Sequence, residues 1–394
     1  MITSRSDIAE MSLAELESAF ELLGLKQFQA RQVYRWVYRS AVTEFDRMTD
    51  LSRSLQKNLN DVFVISNPLV KQRNRSSDGT IKFLLQLDRD RLIESVFIPD
   101  TPGITICIST QVGCAMQCGF CLTGKMGLNS NLTAGEIAGQ VRVVAREIGI
   151  LAQPFNVVIM GMGEPLHNYE ATMKALRMLA AEQGLAIPAR RVTLSTVGIL
   201  PALELLAEES FMPNLAVSLH ATTEAQRDML VPVNRAYGLV ELINACRRFP
   251  LKRRRRITFE YVLLKDINDT VEDAARLCNL LSGLHAKVNL IPLNEVPGIP
   301  FQRPSDRQIS HFARILAKRH LTVSVRKSRG HDIRAACGQL MVEVAHPLIR
   351  SVSGNSSQGT QTVQRNTRLS DTALEQELPE SHTKSCKNIP WRSR

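Results

Sequence analysis

The stretch ITICISTQVGCAMQCGFCLTG, residues 104–124, decides how the rest of the chain is read. Its first six residues, ITICIS, are apolar and β-rich, as a buried strand requires. Cys114, Cys118 and Cys121 follow in a C-x3-C-x2-C array flanked by glycines. In parallel α/β sheets the loops after strand C-termini build the active site, so position and chemistry agree. Thiolates are soft donors that select zinc or iron–sulfur. A structural zinc site closes with four protein ligands; the nearest fourth candidates are Cys107, held inside the strand, or a distant histidine. A 4Fe-4S cluster tolerates three cysteines and leaves one iron for an outside ligand. The spacing therefore favours iron–sulfur, with an open corner as a reaction site.

The strand signature recurs at FNVVIM, VTLST, LAVSL, ITFEYVLL, VNLIP and LTVSV, with helical segments between most of them. Thr133 followed by Glu136, and Ser305 followed by Gln308, read as capping boxes; Gly184 reads as the end of a helix begun near Asn168. Six strand–helix units and a seventh strand predict an α/β fold, a partial (β/α)6 barrel. A doubly wound open sheet has the same periodicity. Upstream, IKFLLQL and LIESVFI predict short extended runs between Ile81 and Ile98. Residues 1–60 predict helices: Leu13, Leu16, Phe20 and Leu23 share one face, and Val33, Trp36 and Val37 share another, opposite Arg31, Arg35 and Arg39. The expected divisions are a helical domain at 1–60 that contacts RNA, a β-rich extension at 61–98, a catalytic core at 99–347 and a tail at 348–394. The tail is rich in Ser, Thr, Asn and Gln and is expected to be disordered; its Cys386 and Trp391 receive no role.

The chain has 394 residues, 44% of them hydrophobic, enough for a substantial core. Its net charge of +11 favours a polyanionic partner, most simply nucleic acid, with Lys252–Arg256 and the N-terminal arginines as candidate contacts. A solvated basic surface has the same composition. No apolar run approaches the roughly 18 residues of a membrane span, and the N-terminus lacks an apolar signal region, so a cytoplasmic location is expected. Eight cysteines in that compartment point to metal binding, redox chemistry or packing rather than a disulfide framework.

Polar groups stand just past several strands. GMGEP, residues 161–165, combines glycines that permit close backbone approach with Glu164, a carboxylate able to grip an ammonium. Ser195 ends VTLST, Ser218 and His220 end LAVSLH, and Asn294 follows VNLIPLN. Together they can ring one ligand; singly, each is an ordinary strand-end cap. Cys337 lies in GHDIRAACGQL, a Gly- and charge-rich stretch unlike a strand core, with inert packing as the alternative.

These pieces together resemble the RlmN/Cfr family of radical S-adenosylmethionine RNA methyltransferases, most closely its RlmN branch. The shared motifs are FQARQVYRWVY, FDRMTDLS, ISTQVGCAMQCGFCLTG, GMGEPLHNY, SLHATTEAQRDMLVPVN, FEYVLLKDIND and GHDIRAACGQL. The resemblance implies a 4Fe-4S cluster on Cys114, Cys118 and Cys121, with S-adenosylmethionine at the open iron. It implies cofactor contacts at Gly163, Glu164, Ser195, Ser218, Leu219, His220 and Asn294. It also implies a two-stage reaction. Cys337 takes a methyl from one S-adenosylmethionine, and a radical made from a second removes hydrogen from that S-methyl group. The carbon radical adds to adenine, and Cys107 then attacks the sulfur, forming a transient Cys107–Cys337 disulfide and freeing the base. Glu94, in LIESVFIP, matches the proton-accepting residue. The implied product is adenosine methylated at carbon 2 in 23S ribosomal RNA, with transfer RNA as a second candidate substrate. Methylation at carbon 8, as in Cfr, is the alternative within the family, and a zinc-stabilised non-catalytic RNA-binding protein the alternative outside it. A low-potential electron donor such as flavodoxin or ferredoxin, and action as a monomer, are expected. The chain departs from the family pattern at Phe83, Gly103, Ser130 and Val197.

Overall fold

The apolar runs picked out in the sequence all become strands. The structure, a computed structural model, describes residues 5–88, 90–99, 103–252 and 254–342. The tail with Cys386 and Trp391, and Arg253 of the basic run, lie outside the described residues. One ten-stranded sheet organises the chain. Its strands are β1 (Leu69–Arg75), β2 (Ile81–Gln86), β3 (Leu92–Ile98), β4 (Thr105–Ile108), β5 (Asn156–Ile159), β6 (Val192–Thr196), β7 (Asn214–Ser218), β8 (Ile257–Leu263), β9 (Ala286–Pro292) and β10 (Thr322–Val325). Spatial order follows chain order from β1 to β10. Strands β4 to β10 pair parallel, and β1 to β4 antiparallel.

This order separates the two architectures that periodicity left open. A doubly wound sheet reverses its strand order at a switch point, whereas here the order never reverses. Right-handed crossovers without reversal place the helices on one face, and the sheet curls. Laid flat, β5 and β10 would lie about 24 Å apart, five strand spacings. Yet Arg326, just past β10, brings Nη1 to 3.7 Å from Sδ of Met160, just past β5. The parallel strands therefore form a partial barrel.

Strand β1, LVKQRNR, was invisible in the sequence because it is a mostly exposed edge strand without apolar alternation. The helices Leu13–Leu22, Gln27–Arg39 and Arg53–Val62 form the N-terminal layer. One hydrophobic cluster runs from Ile8 through the sheet to Leu316, so this layer shares its core with the barrel. The second helix buries Ala30, Val33, Tyr34, Val37 and Tyr38, while the expected Trp36 packs half-buried against the same core, its indole N–H donating to Asp50 at 2.5 Å. Tyr34 and Tyr38 stack with centroids 4.4 Å apart, and the Tyr34 hydroxyl donates to the Met178 carbonyl at 3.0 Å.

Thr133 and Glu136 form the expected capping box at the start of helix Ala134–Ile148. Ser305 caps helix Asp306–Lys318 from one side only, because the Gln308 side chain donates to Asp269 instead. Gly184 does not close a helix: Tyr169–Ala180 ends earlier, and the Gly184 carbonyl accepts from Arg39 at 2.9 Å.

Candidate active site

After β4 the chain enters a small hairpin, Gln111–Gly113 against Leu128–Asn131, which closes the base of the cysteine loop. Gly113 has φ +77°, and a Cβ there would lie 1.9 Å from the Gly127 carbonyl oxygen, so only glycine fits. That carbonyl accepts from the Cys114 N–H at 2.8 Å. Cys114, Cys118 and Cys121 are free thiols on the wall of a single pocket. Burial pushes all three thiols up, Cys114 to about 12, so binding them as thiolates must expel their protons.

The donor set fits a three-cysteine cluster better than a zinc ion. Among the described residues no three His, Cys, Asp or Glu side chains converge on one point as a single ion requires. His220 is the histidine on this pocket wall, but its Nδ1 accepts the Val262 N–H at 3.0 Å. The proton therefore sits on Nε2, which then has no lone pair for a metal. Burial drives the His220 pKa down to about 3, so the ring is a neutral donor.

Glu164 is fully enclosed. Its Oε1 accepts the Leu166 N–H at 3.0 Å and its Oε2 the Val197 N–H at 2.9 Å. Gly163 has φ +100°, and a Cβ there would sit 2.6 Å from that of Gln111, whose amide oxygen accepts the Glu164 N–H at 2.9 Å. Burial raises the Glu164 carboxyl to about 7, leaving it poised for a cationic partner. Ser195 and Ser218 hydroxyls lie 3.5 Å apart on the pocket wall, and Asn294 holds the Cys337 carbonyl at 3.4 Å. Leu219 does not bring its side chain to this pocket: it is buried in the main core, its N–H donating to the Glu260 carbonyl at 3.0 Å.

Three residues escaped the sequence reading. Arg227, fully buried, donates to the carbonyls of Val197 at 2.6 Å and Leu219 at 3.3 Å, tying together the ends of β6 and β7. Glu260 and Arg326 line the pocket on β8 and after β10. For Glu260 and Arg326 the available signal was a charged residue inside or beside an apolar strand; Arg227, in the helix Glu224–Leu230, gave none.

The antiparallel extension delivers Cys337. Asp78 accepts the Gly330 N–H at 3.0 Å, and Lys82 donates to the Arg334 carbonyl at 3.3 Å. Glu94 pairs with Lys82 at 2.8 Å and accepts the Met341 N–H at 2.9 Å. From the other side, Leu122 donates to the Gly338 carbonyl at 2.8 Å and Thr123 to the Leu340 carbonyl at 2.6 Å. Cys337, partly exposed, thus lies on the same pocket as Cys114, Cys118 and Cys121. Glu94 and Cys107 are not on the pocket wall; Glu94 braces the loop from behind, and Cys107 is buried in β4. The Cys107–Cys337 disulfide that the resemblance implies is a transient one formed during turnover; in this structure both residues are free thiols. Burial first, then the nearby Cys337, pushes the Cys107 thiol up to about 12, which favours the protonated thiol over the thiolate.

Two family models match the chain: the ribosomal RNA large subunit methyltransferase N-terminal domain over residues 6–65, and the radical SAM superfamily over residues 108–278. A dual-specificity RNA methyltransferase RlmN of Geobacter sulfurreducens is 47% identical over 334 residues, 85% of this chain and 91% of that protein. One from Myxococcus xanthus, RlmN 2, is 48% identical over 342 residues, 85% of this chain and 90% of its own. A crystal structure of a radical SAM methyltransferase from Sphaerobacter thermophilus superposes with a TM-score of 0.81 at 45% identity, covering 85% of this chain and 99% of that one. With its three-thiol loop, its partial barrel and this extent of similarity, the chain belongs to the RlmN family of radical S-adenosylmethionine methyltransferases.

Proposed function

We propose that the protein methylates carbon 2 of an adenosine in RNA, in 23S ribosomal RNA and in transfer RNA, with Cys337 as the methyl carrier. The observation that carries this reading is that Cys337 and the three cluster cysteines wall one pocket, their loops joined by the Leu122–Gly338 hydrogen bond. Cys114, Cys118 and Cys121 would hold a 4Fe-4S cluster, which with S-adenosylmethionine supplies one-electron chemistry when bound. Glu164 grips the methionine ammonium, while Gly163, Ser195, Ser218, His220, Asn294 and the Leu219 backbone shape the rest of the cofactor site. Cys337 attacks the methyl group as a thiolate, with Arg326 on the same pocket wall. Cys107 is the second thiol, which frees the base from Cys337. Glu94 takes up a proton, as well as bracing the loop.

Carbon 2 of adenine is neither acidic nor nucleophilic, so polar methyl transfer fails there and a radical route is needed. The base must leave its stack, at a cost of about a few kcal/mol that contacts to the RNA backbone offset. Arg35, Lys252 and Arg254 are exposed and suit that task, whereas Arg31 pairs with Glu17, and Arg39, Arg255 and Arg256 bind other parts of the chain. The relatives are named dual-specificity RNA methyltransferases RlmN, which supports more than one RNA substrate and the RlmN over the Cfr branch. Among the described residues no helix is long and apolar enough to cross a membrane. We further take the protein as a cytoplasmic monomer with flavodoxin or ferredoxin as reductant. Nucleoside mass spectrometry of RNA treated with anaerobically reconstituted protein tests the reading: 2-methyladenosine is expected, and 8-methyladenosine alone refutes it.

A further inference from the structure

One carboxylate on the pocket wall has an oxygen with nothing to bind. Glu260 stands in mid-strand on β8, in register with Ser218 on β7 and Asn289 on β9; Asn289 in turn pairs with Ser324 on β10. The Ser324 hydroxyl donates to Asn289 Oδ1, and Asn289 Nδ2 donates to Glu260 Oε1 at 3.0 Å. This relay fixes the carboxylate. Glu260 Oε2, although buried, has no hydrogen-bond partner. Buried carboxylate oxygens are normally satisfied, so a ligand donor belongs there.

The surroundings indicate which ligand. The charged and ionisable groups of the pocket wall fall into two sets, with Cys121 interacting with Cys337 between them. Glu164 acts on Cys114 and Cys118, the cluster set. Glu260 is influenced by Arg326, which itself interacts with Cys337 and Cys107, the methyl-carrying set. The cofactor's ammonium belongs to the first set, and the acceptor base must come to the second.

We propose that Glu260, oriented by Asn289 and Ser324, is a specificity-determining residue whose Oε2 accepts a hydrogen bond from the exocyclic 6-amino group of the acceptor adenine. Arg326, beside it, donates to a ring nitrogen. Adenine offers a donor next to an acceptor, the complement of a carboxylate next to a guanidinium. A 6-oxo purine would set oxygen against oxygen and be rejected. This inference rests on the RNA methyltransferase reading above.

The test uses full-length, cluster-reconstituted protein and synthetic RNA hairpins carrying adenosine, purine ribonucleoside (no 6-amino group) or inosine (6-oxo) at the modified position. Wild type is expected to favour adenosine over purine ribonucleoside by roughly 10- to 100-fold in kcat/KM. Glu260→Ala removes that preference and lowers adenosine methylation by about the same factor, while methylation of Cys337 without RNA, read by intact mass, continues. Glu260→Gln keeps the shape and carries the test if the alanine variant fails to fold. Because Asn289 presents an N–H, the glutamine must turn its carbonyl toward Asn289 and its amino group into the pocket, shifting preference toward inosine. Two results overturn the inference: unchanged base preference in both variants, or loss of Cys337 methylation in step with RNA methylation, which would assign the carboxylate to the cofactor. Absence of transfer to every hairpin by wild type refutes the parent reading and this one with it, whereas normal transfer with unaltered preference refutes this one alone.

Discussion

Replacing Glu94 with Gln tests whether the extension holds the Cys337 loop in place. The substitution keeps the shape and removes the charge. In the wild type, Glu94 and Lys82 approach to 2.8 Å with side chains only 6% and 11% exposed, and Glu94 also accepts the Met341 N–H at 2.9 Å. Removing one member of such a buried pair strands the other charge, at about 3–5 kcal/mol. Lys82 has some access to water, so the lower end, about 3 kcal/mol, is expected. The double variant Lys82→Met with Glu94→Gln removes the stranded charge, and should be more stable than the sum of the single effects by about 1–3 kcal/mol. Urea denaturation of the three variants at constant m-value measures both quantities. Amide exchange supplies the local readout: the Met341 N–H should exchange roughly 100-fold faster in Glu94→Gln if the loop opens as a unit. A destabilisation below about 1 kcal/mol, or strict additivity in the double variant, would refute the clamp and leave Glu94 with a purely chemical role.

Cys337→Ala should abolish RNA methylation while cluster absorbance near 400 nm and reductive cleavage of S-adenosylmethionine persist; normal methylation would remove Cys337 from the reaction. Cys107→Ala should accumulate a covalent protein–RNA adduct, seen as a denaturant-resistant gel shift, and normal turnover without adduct would dismiss its role. Burial raises the Glu164 carboxyl from 4.5 to about 7, so the cofactor-free protein binds more protons folded than unfolded between those values. The resulting stabilisation, at most roughly 3 kcal/mol, is full below 4.5 and lost as pH rises through 7. The cofactor ammonium selects the ionised carboxylate, so S-adenosylmethionine affinity measured by titration should rise with pH through that window, and Glu164→Gln should flatten the profile and weaken binding about 10- to 100-fold.

Much of the barrel could be read from sequence because a parallel strand buried on both faces must be apolar throughout, and each such run announces itself. Its closure could not, since the order and curl of the strands are long-range facts with no local signal. The three cysteines proposed to hold the cluster were readable because ligands within one loop must keep a fixed spacing. Cys107 and Glu94 came only through family resemblance: a lone cysteine in an apolar strand and a carboxylate in an edge-side strand look the same whether they pack, brace or react. Leu219 shows the converse. Its position in the motif is right for a cofactor contact, but whether side chain or backbone does the touching depends on how β7 sits against β8.

The chain by itself determined where strands, helices and the thiol array fall, because those depend on neighbours a few residues apart. Folding decided what those pieces meet. Only the curled sheet puts Arg326 beside Met160, five strands away, and only the antiparallel extension carries Lys82 and Glu94 to the loop of Cys337, more than 240 positions later. Burial then does the chemical tuning: the same carboxyl that would sit at 4.5 in water is raised to about 7 at Glu164, and an ordinary glutamate at 260 is left with one oxygen awaiting a donor.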